Sequence, residues 1–431
     1  MPMYDLAIIG AGWAGFNAAL RAKELGLKVC LIDSHQIGGT CLNYGCIPTK
    51  TLIACAKIFS LAKRASDFGV ELDNLQINLA TIQKKKDKVV RQLGAGMLSR
   101  LREIDFINSW AQIISAQELK VDGRIINAKF ILVATGSYPI QLPEFKFDQE
   151  RIISSDQALA LSKIPESLLI IGAGVIGCEL ASLFSILGSE VTLAEKLPLL
   201  LGTEDRDISR KIEVIFKKKG IKVLTGADLS TLDLKNYSKT LVCVGRAPNT
   251  DRLGLMDLGV KLNNHSIMVD DYLKSSLDNI YAAGDCTSKI MLAHYAAYQG
   301  VLAVENMFLE DRKKADNLIV PACIFTDPQI ASVGVKEEDA LTSGFKIKVH
   351  KFDFRASSMA QIIDETQGWI KIISNQETDQ IIGASIIGPL ATELISTLVI
   401  AISAKLTVSA VKAMIFAHPT LAESLHETLK N

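Results

Sequence analysis

The sequence predicts an α/β chain carrying two Rossmann-like folds in tandem. An apolar strand, a Gly-x-Gly-x-x-Gly turn, an apolar helix and a strand ending in an acid occur at Leu6–Asp33 and again at Leu168–Glu195. Each copy then closes on a similar apolar strand and glycine, FILVATGS at Phe130–Ser137 and LVCVGR at Leu241–Arg246. With 431 residues the chain is too long for one ordinary core, so two to four domains are expected.

The elements follow in order. Leu6–Ile9 is a strand, Gly10, Gly12 and Gly15 form the turn, an Ala-rich helix runs to about Leu25, and Lys28–Ile32 leads to Asp33. In the second copy Leu168–Ile171 is followed by Gly172, Gly174 and Gly177, a helix to about Leu187, and the strand Glu190–Ala194 before Glu195. The first glycine of each set makes the tight turn, the second admits a pyrophosphate, and the third lets helix and strand pack closely. The helix N-terminus then favours phosphate. The acid about 20 residues on suits the hydroxyls of a ribose. Glu195 would repel a 2′-phosphate, and its neighbours Lys196, Leu197 and Pro198 supply no bidentate clamp. NAD is therefore expected over NADP in the second fold.

The closing segments differ between the copies. Ile104–Lys129 has the alternation of short antiparallel strands, with Asp122-Gly123 as a hairpin tip. Its counterpart, Gly226–Lys239, is shorter and mostly polar, so the second fold is expected to lack that meander. The nearly uncharged run Ser167–Gly188 contains the second glycine turn and Glu179, and reads as strand–turn–helix rather than a membrane span.

Between the first fold and its closing strand lies GGTCLNYGCIPTK, Gly38–Lys50. Gly38, Gly39 and Gly45 give the backbone room to bend, so that Cys41 and Cys46 could bridge. Pro48 fits the first turn of a helix, which sets Cys46 near a helix N-terminus, where thiolate is favoured. A reducible pair beside a nucleotide turn implies electron transfer through sulfur; the plain alternative is two buried structural thiols. The other cysteines, Cys30, Cys55, Cys178, Cys243, Cys286 and Cys323, are isolated, show no metal-type spacing and read mostly as core filler.

Composition narrows the function. Hydrophobic residues make up 48% and charged residues 22%, as in a globular protein. Lys+Arg and Asp+Glu are both 47, a balance that argues against nucleic acid or a membrane surface as partner. The N-terminus runs straight into a strand without a leader, so a cytoplasmic location is expected.

Together with YAAGD at Tyr281–Asp285, MLAH at Met291–His294 and HPTLAE at His418–Glu423, these motifs resemble the flavoprotein disulfide reductases, above all the dihydrolipoamide dehydrogenases. The resemblance covers essentially the whole chain. It implies an FAD domain at 1–150, a shortened NAD domain at 151–270, a return segment at 271–317 and an α+β dimerisation domain at 318–431. FAD would be held by Gly10, Gly12, Gly15, Asp33, Gly39, Thr40, Lys50, Thr135, Gly136, Ser137, Asp285, Met291, Leu292, Ala293 and His294. NAD would use Gly172, Gly174, Val175, Ile176, Gly177, Glu179, Glu195, Ala227 and Gly245, with Lys50 and Glu179 as an ion pair near the flavin.

The resemblance also assigns roles. Cys41 exchanges with substrate and Cys46 faces the flavin, while His418 with Glu423 is the acid–base pair, acting from the opposite subunit of a homodimer. Dihydrolipoyl groups on an acyltransferase or lipoyl carrier would be met in trans, because no lipoyl domain is present in this sequence. Tyr44 stands where relatives usually have Val, and Ala422 where Ser is common. The remaining histidines, His35, His265, His350 and His426, read as exposed. Rival readings keep the chemistry but change the substrate, or keep the fold as a docked flavoprotein subunit with weakened NAD turnover. Glutathione-type reductases would show arginines after Glu195, and mercuric or high-molecular-weight thioredoxin reductases a redox tail in place of LHETLKN.

Overall fold

The computed structural model describes residues 3–287, 290–315, 319–344 and 346–430. It divides into two compact units: one comprises Met1–Gln149, Ser154–Lys163 and Gly245–Ala315, and the other Glu150–Ile153, Ile164–Val244 and Asp316–Asn431.

The first unit is built on a parallel sheet in the order Asp105–Asn108, Val29–Asp33, Tyr4–Ile9, Arg124–Val133, with Ile280–Ala282 pairing parallel beside the last of these. The central strands are buried on both faces, which is why Leu6–Ile9 and Ile131–Val133 read as unbroken apolar runs. Arg124–Val133 is long enough to leave this sheet at its start, where it pairs antiparallel with Glu118–Val121, which in turn pairs with Ala111–Ser115. Asp122 (φ 48°) and Gly123 (φ 73°) form the expected two-residue hairpin, both with the positive φ that matches strand twist. Asp105–Asn108 departs from the meander expectation. It is an edge strand, exposed at both ends and half-buried in the middle, and it joins the parallel sheet through the Cys30–Asp105 register after a crossover that includes the helix Leu79–Arg100.

The helix Trp13–Glu24 lies on the helix Ala293–Phe308 at very close range. A Cβ on Gly300 would sit 2.1 Å from the Ala14 carbonyl oxygen, so only glycine allows this approach. Ala14, Ala18, Ala19 and Ala22 are fully buried or nearly so on the facing side.

In the second unit a parallel sheet runs Lys222–Leu224, Glu190–Ala194, Ser167–Ile171, Lys239–Val242, Ile152–Ile153. The run Ser167–Gly188 resolves into the strand Ser167–Ile171 and the helix Val175–Leu187, as its glycines require. Between Leu224 and Lys239 there is no strand; two 3-10 turns, Leu229–Thr231 and Leu234–Asn236, are capped by Asp228 and Asp233. The second fold has lost the meander of the first. Downstream, five antiparallel strands in the order Ala322–Ile324, Gln329–Gly334, Ile381–Gly388, Trp369–Asn375, Ile347–Asp353 carry the helices Ala391–Ser403 and Glu423–Lys430 against one apolar core. This is the α+β segment.

By length and composition Gly39–Lys63 could cross a bilayer. It is broken into the helices Gly39–Asn43 and Cys46–Lys63, and a break in lipid would strand backbone polar groups, so the segment does not suit a span.

Candidate active site

The first glycine turn is shaped by what surrounds it. A Cβ on Gly10 would meet the Ala134 carbonyl oxygen at 2.2 Å, and one on Gly15 the Gly10 oxygen at 1.8 Å. Gly12 is different: its nearest neighbour would be the Gly39 Cα at 3.8 Å, so the fold itself tolerates a methyl there. Its glycine is explained by close approach of something outside the chain. Asp33 closes the turn, with Oδ2 accepting from the Ala11 N–H at 2.6 Å and Oδ1 from His35 N–H at 2.8 Å.

The second turn repeats the arrangement. Cβ atoms on Gly172 and Gly177 would meet the Cys243 and Gly172 oxygens at 2.5 and 2.0 Å, whereas one on Gly174 would meet nothing within 4 Å. Glu195 Oε2 accepts from the Ala173 N–H at 2.7 Å, and Oε1 from Leu197 N–H at 2.8 Å. The Ala227 N–H bonds the Glu195 carbonyl, which brings Ala227 beside the acid. Val175 and Ile176 begin the helix, and Val175 is exposed. Both turns thus offer open backbone at a helix N-terminus, the form a dinucleotide pyrophosphate requires. Glu179 is buried two residues beyond Gly177, its Oε1 accepting from the Phe325 N–H at 2.8 Å. Gly245 groups with the first unit, where its carbonyl accepts from Ile140 N–H.

In the first unit the redox motif sits against the first turn. Gly38 (φ 96°) and Gly39 (φ 55°) take a left-handed bend that leads into Gly39–Asn43, and a Cβ on Gly39 would be 2.8 Å from Gly12 Cα. Cys41 lies on that short helix, and Cys46 opens the next one, Cys46–Lys63. The two stand as thiols with a hydrogen bond between them, which together with burial pushes the Cys41 thiol well above its ordinary value. Lys50, one turn beyond Cys46, acts in the opposite direction. Cys41 therefore keeps its proton unless a base takes it, and the helix N-terminus favours charge at Cys46. Tyr44, between the two, is 43% exposed.

Thr135, Gly136 and Ser137 follow the strand Arg124–Val133, and Asp285 follows Ile280–Ala282 on the neighbouring strand, so parallel pairing brings the two ends together. Ser137 Oγ donates to Asp285 Oδ2 at 2.5 Å. Met291 and Leu292 lead into the helix that starts at Ala293 and carries His294 on its exposed side.

In the second unit His418 Nδ1 lies 2.8 Å from Glu423 Oε2, with His418 71% exposed and Glu423 17%. Glu423 caps the chain just ahead of it, since Thr420 and Glu423 exchange hydrogen bonds. A carboxylate accepts only, so Nδ1 carries the proton and Nε2 keeps the basic lone pair. This is an oriented imidazole presented to solvent.

Residues 4–300 match the sequence profile of the pyridine nucleotide-disulphide oxidoreductases, and residues 320–429 match that family's dimerisation domain. The chain belongs to this family. It is a flavoprotein disulfide oxidoreductase that uses FAD and NAD. A dihydrolipoyl dehydrogenase of Chlamydia muridarum is 39% identical over 97% of this chain and 95% of its own. One from Bacillus subtilis is 38% identical over 98% and 97%. Among solved structures, LpdA of Mycobacterium tuberculosis superposes with a TM-score of 0.92 at 27% identity, covering 99% of this chain and 98% of its own. The HOCl-induced flavoprotein disulfide reductase RclA of Escherichia coli gives 0.89 at 29%, covering 99% of each.

Some residues stand otherwise than the sequence suggested. His350 is 2% exposed on the strand Ile347–Asp353, facing Ser374 Oγ, because its position alternates inward on a strand of otherwise mixed polarity. His426 is largely covered, stacked on Phe416 with Nε2 at the Lys412 carbonyl. Arg246, overlooked in the sequence because it follows a glycine attributed to NAD, bonds Ser137 in this oxidoreductase's first unit.

Proposed function

We propose that this oxidoreductase oxidises a dihydrolipoyl dithiol with NAD, through a Cys41–Cys46 disulfide. The observation that carries the reading is the thiol pair folded against the first glycine turn, with Cys46 at a helix N-terminus and Lys50 one turn on. Identity of 35–39% to dihydrolipoyl dehydrogenases over nearly the full length supports the substrate class.

His418 takes the proton from one substrate thiol through Nε2, and Glu423 holds the resulting imidazolium. The substrate sulfur attacks Cys41 Sγ, the Cys41–Cys46 bond breaks, and Cys46 leaves as thiolate stabilised by its helix N-terminus. The second substrate sulfur then attacks the mixed disulfide. The lipoyl ring closes as Cys41 leaves; the second substrate thiol's proton passes to Cys41, and the first stays on His418 and balances the Cys46 thiolate. Two electrons now reside on the protein thiols. Bound FAD and NAD supply the onward two-electron acceptors. In this reading Lys50 stands beside the flavin, Glu195 holds the NAD ribose, and His418 serves the thiols of the other copy in a homodimer.

The four-part division at 150, 270 and 317 is retained as part of the proposal; its last boundary lies outside the described residues. A lipoylated acyltransferase or carrier acts in trans, in a cytoplasmic setting. The test is substitution. Cys41→Ser should abolish turnover of dihydrolipoamide while NADH still bleaches the flavin. His418→Gln should slow the thiol half-reaction about 10²–10⁴-fold, with partial recovery at alkaline pH, where the substrate thiol ionises without a base. Undiminished turnover in Cys41→Ser would refute the reading.

A further inference from the structure

Arg246 sits where three expected FAD residues meet. It lies on the short strand Arg246–Pro248, antiparallel to Ser137–Pro139, so its side chain starts beside the end of the first fold. Nε donates to Ser137 Oγ at 2.8 Å and Nη2 to the Ser137 carbonyl at 2.7 Å, a two-pronged grip on one residue. The same Nη2 is 3.4 Å from the hydroxyl of Thr40, the neighbour of Cys41. Ser137 has one hydroxyl proton and gives it to Asp285 Oδ2, 2.5 Å away. The direction of the chain is therefore fixed: guanidinium to serine, serine to carboxylate.

The electrostatics agree. Burial pushes the carboxyls of Asp285 and Asp156 up, and in both cases the Arg246 charge opposes it. One cation thus offsets the desolvation of two carboxylates, and a lysine could not grip Ser137 in the same fork. Asp285 Oδ1 remains as an oriented acceptor with no hydrogen bond from the described residues.

We propose that Arg246 is a positioning residue for the flavin cofactor: through Ser137 it orients Asp285 as an acceptor for the cofactor's hydroxyls, and through Thr40 it ties that acceptor to the redox turn. The proposal rests on the first fold being the FAD site. It gives the strand leaving the second fold a role in holding the cofactor of the first.

The test is reconstitution of apoprotein with FAD, followed by flavin fluorescence. Arg246→Gln should weaken FAD binding at least tenfold, about 1.4 kcal/mol. Arg246→Lys should recover part of the loss, and the Arg246→Gln/Asp285→Asn double variant should bind no more weakly than Asp285→Asn alone. NADH binding to Arg246→Gln should be unchanged, which shows that the second fold is intact. Wild-type FAD affinity in Arg246→Gln, or a double variant whose loss is the product of the single losses, would overturn the inference. Gly12→Ala separates the two claims. If it loses FAD while Arg246→Gln keeps it, only the role of Arg246 fails; if it too binds FAD normally, the first fold is not the FAD site.

Discussion

In the first nucleotide fold Asp33 accepts from the Ala11 N–H at 2.6 Å; in the second Glu195 accepts from the Ala173 N–H at 2.7 Å. The spacing from turn to acid is the same, and so are the glycine clashes that force the turn. What differs is how each fold is fastened and covered. The first is roofed by the redox turn, with Gly39 pressed on Gly12, and backed by helices that touch through Gly300 and Ala14. The second is open above Gly174 and is secured instead by buried charge.

That charge is Lys371, 2% exposed on the C-terminal sheet, whose Nζ lies 2.9 Å from Asp205, 3.0 Å from Asp207 and 2.9 Å from Glu337. Burial would lower its pKa, but the hydrogen bonds it donates to Asp205 and Glu337 outweigh this and raise it. Asp205 also accepts from Ser385 Oγ at 3.1 Å. One plan can therefore be anchored by small-residue packing or by ions, and the choice tracks what each fold must do. In the proposed reading the first holds FAD against the thiols, while the second receives NAD.

The largest way to break this contrast is to cut the ionic anchor. Lys371→Ala leaves Asp205 buried and uncompensated and should cost about 3–5 kcal/mol. Chemical denaturation should show the second unit melting early, with FAD retained by the first. A single transition shifted for both units would contradict separate anchoring.

Next in size are the two glycines whose Cβ positions are open. Gly12→Ala and Gly174→Ala should leave folding nearly unchanged, because the backbone φ of −70° and −71° at these positions suits alanine. Each should lose its own cofactor at least tenfold, FAD for Gly12 and NAD for Gly174, about 1.4 kcal/mol by equilibrium binding. Loss of both cofactors in either variant would mean that the turns are not independent.

The smallest effect is pH-dependent. Burial pushes the Glu204 carboxyl up, and its Oε2 has no hydrogen-bond partner. A raised carboxyl favours the folded state when protonated, so its contribution is present below the ordinary Glu range and is lost as pH rises through the raised value. Glu204→Gln should therefore stabilise the protein by about 1 kcal/mol at pH 8 and by less at pH 4.5. Equal stabilisation at both values would show that ionisation is not the cause.

Much of this was legible in the sequence because each glycine turn is a local device. Gly10, Gly15, Gly172 and Gly177 are dictated by backbone atoms a few residues or one strand away, so the motif and its geometry are the same information. The missing meander of the second fold was readable for the same reason, since a polar 14-residue stretch cannot form three packed strands. Long-range polar partners were not legible. Lys371 and Asp205 are 166 positions apart, and nothing local distinguishes that lysine from a surface one. The surroundings of Arg246 and His350 are not legible for the same reason, because what a charge or imidazole meets depends on which strand lies beside it. Asp105–Asn108 was assigned to the wrong sheet because a four-residue edge strand carries no signal for parallel or antiparallel pairing.

The most direct test of the account is an anaerobic titration of the purified yellow protein with NADH, followed by lipoamide, with the visible spectrum recorded throughout. The account predicts flavin bleaching, a new long-wavelength band that Cys46→Ser abolishes, and reoxidation when lipoamide is added. Protein that dithionite reduces but NADH does not would contradict a working second fold. Reduction by NADH with no response to lipoamide would contradict the lipoyl substrate.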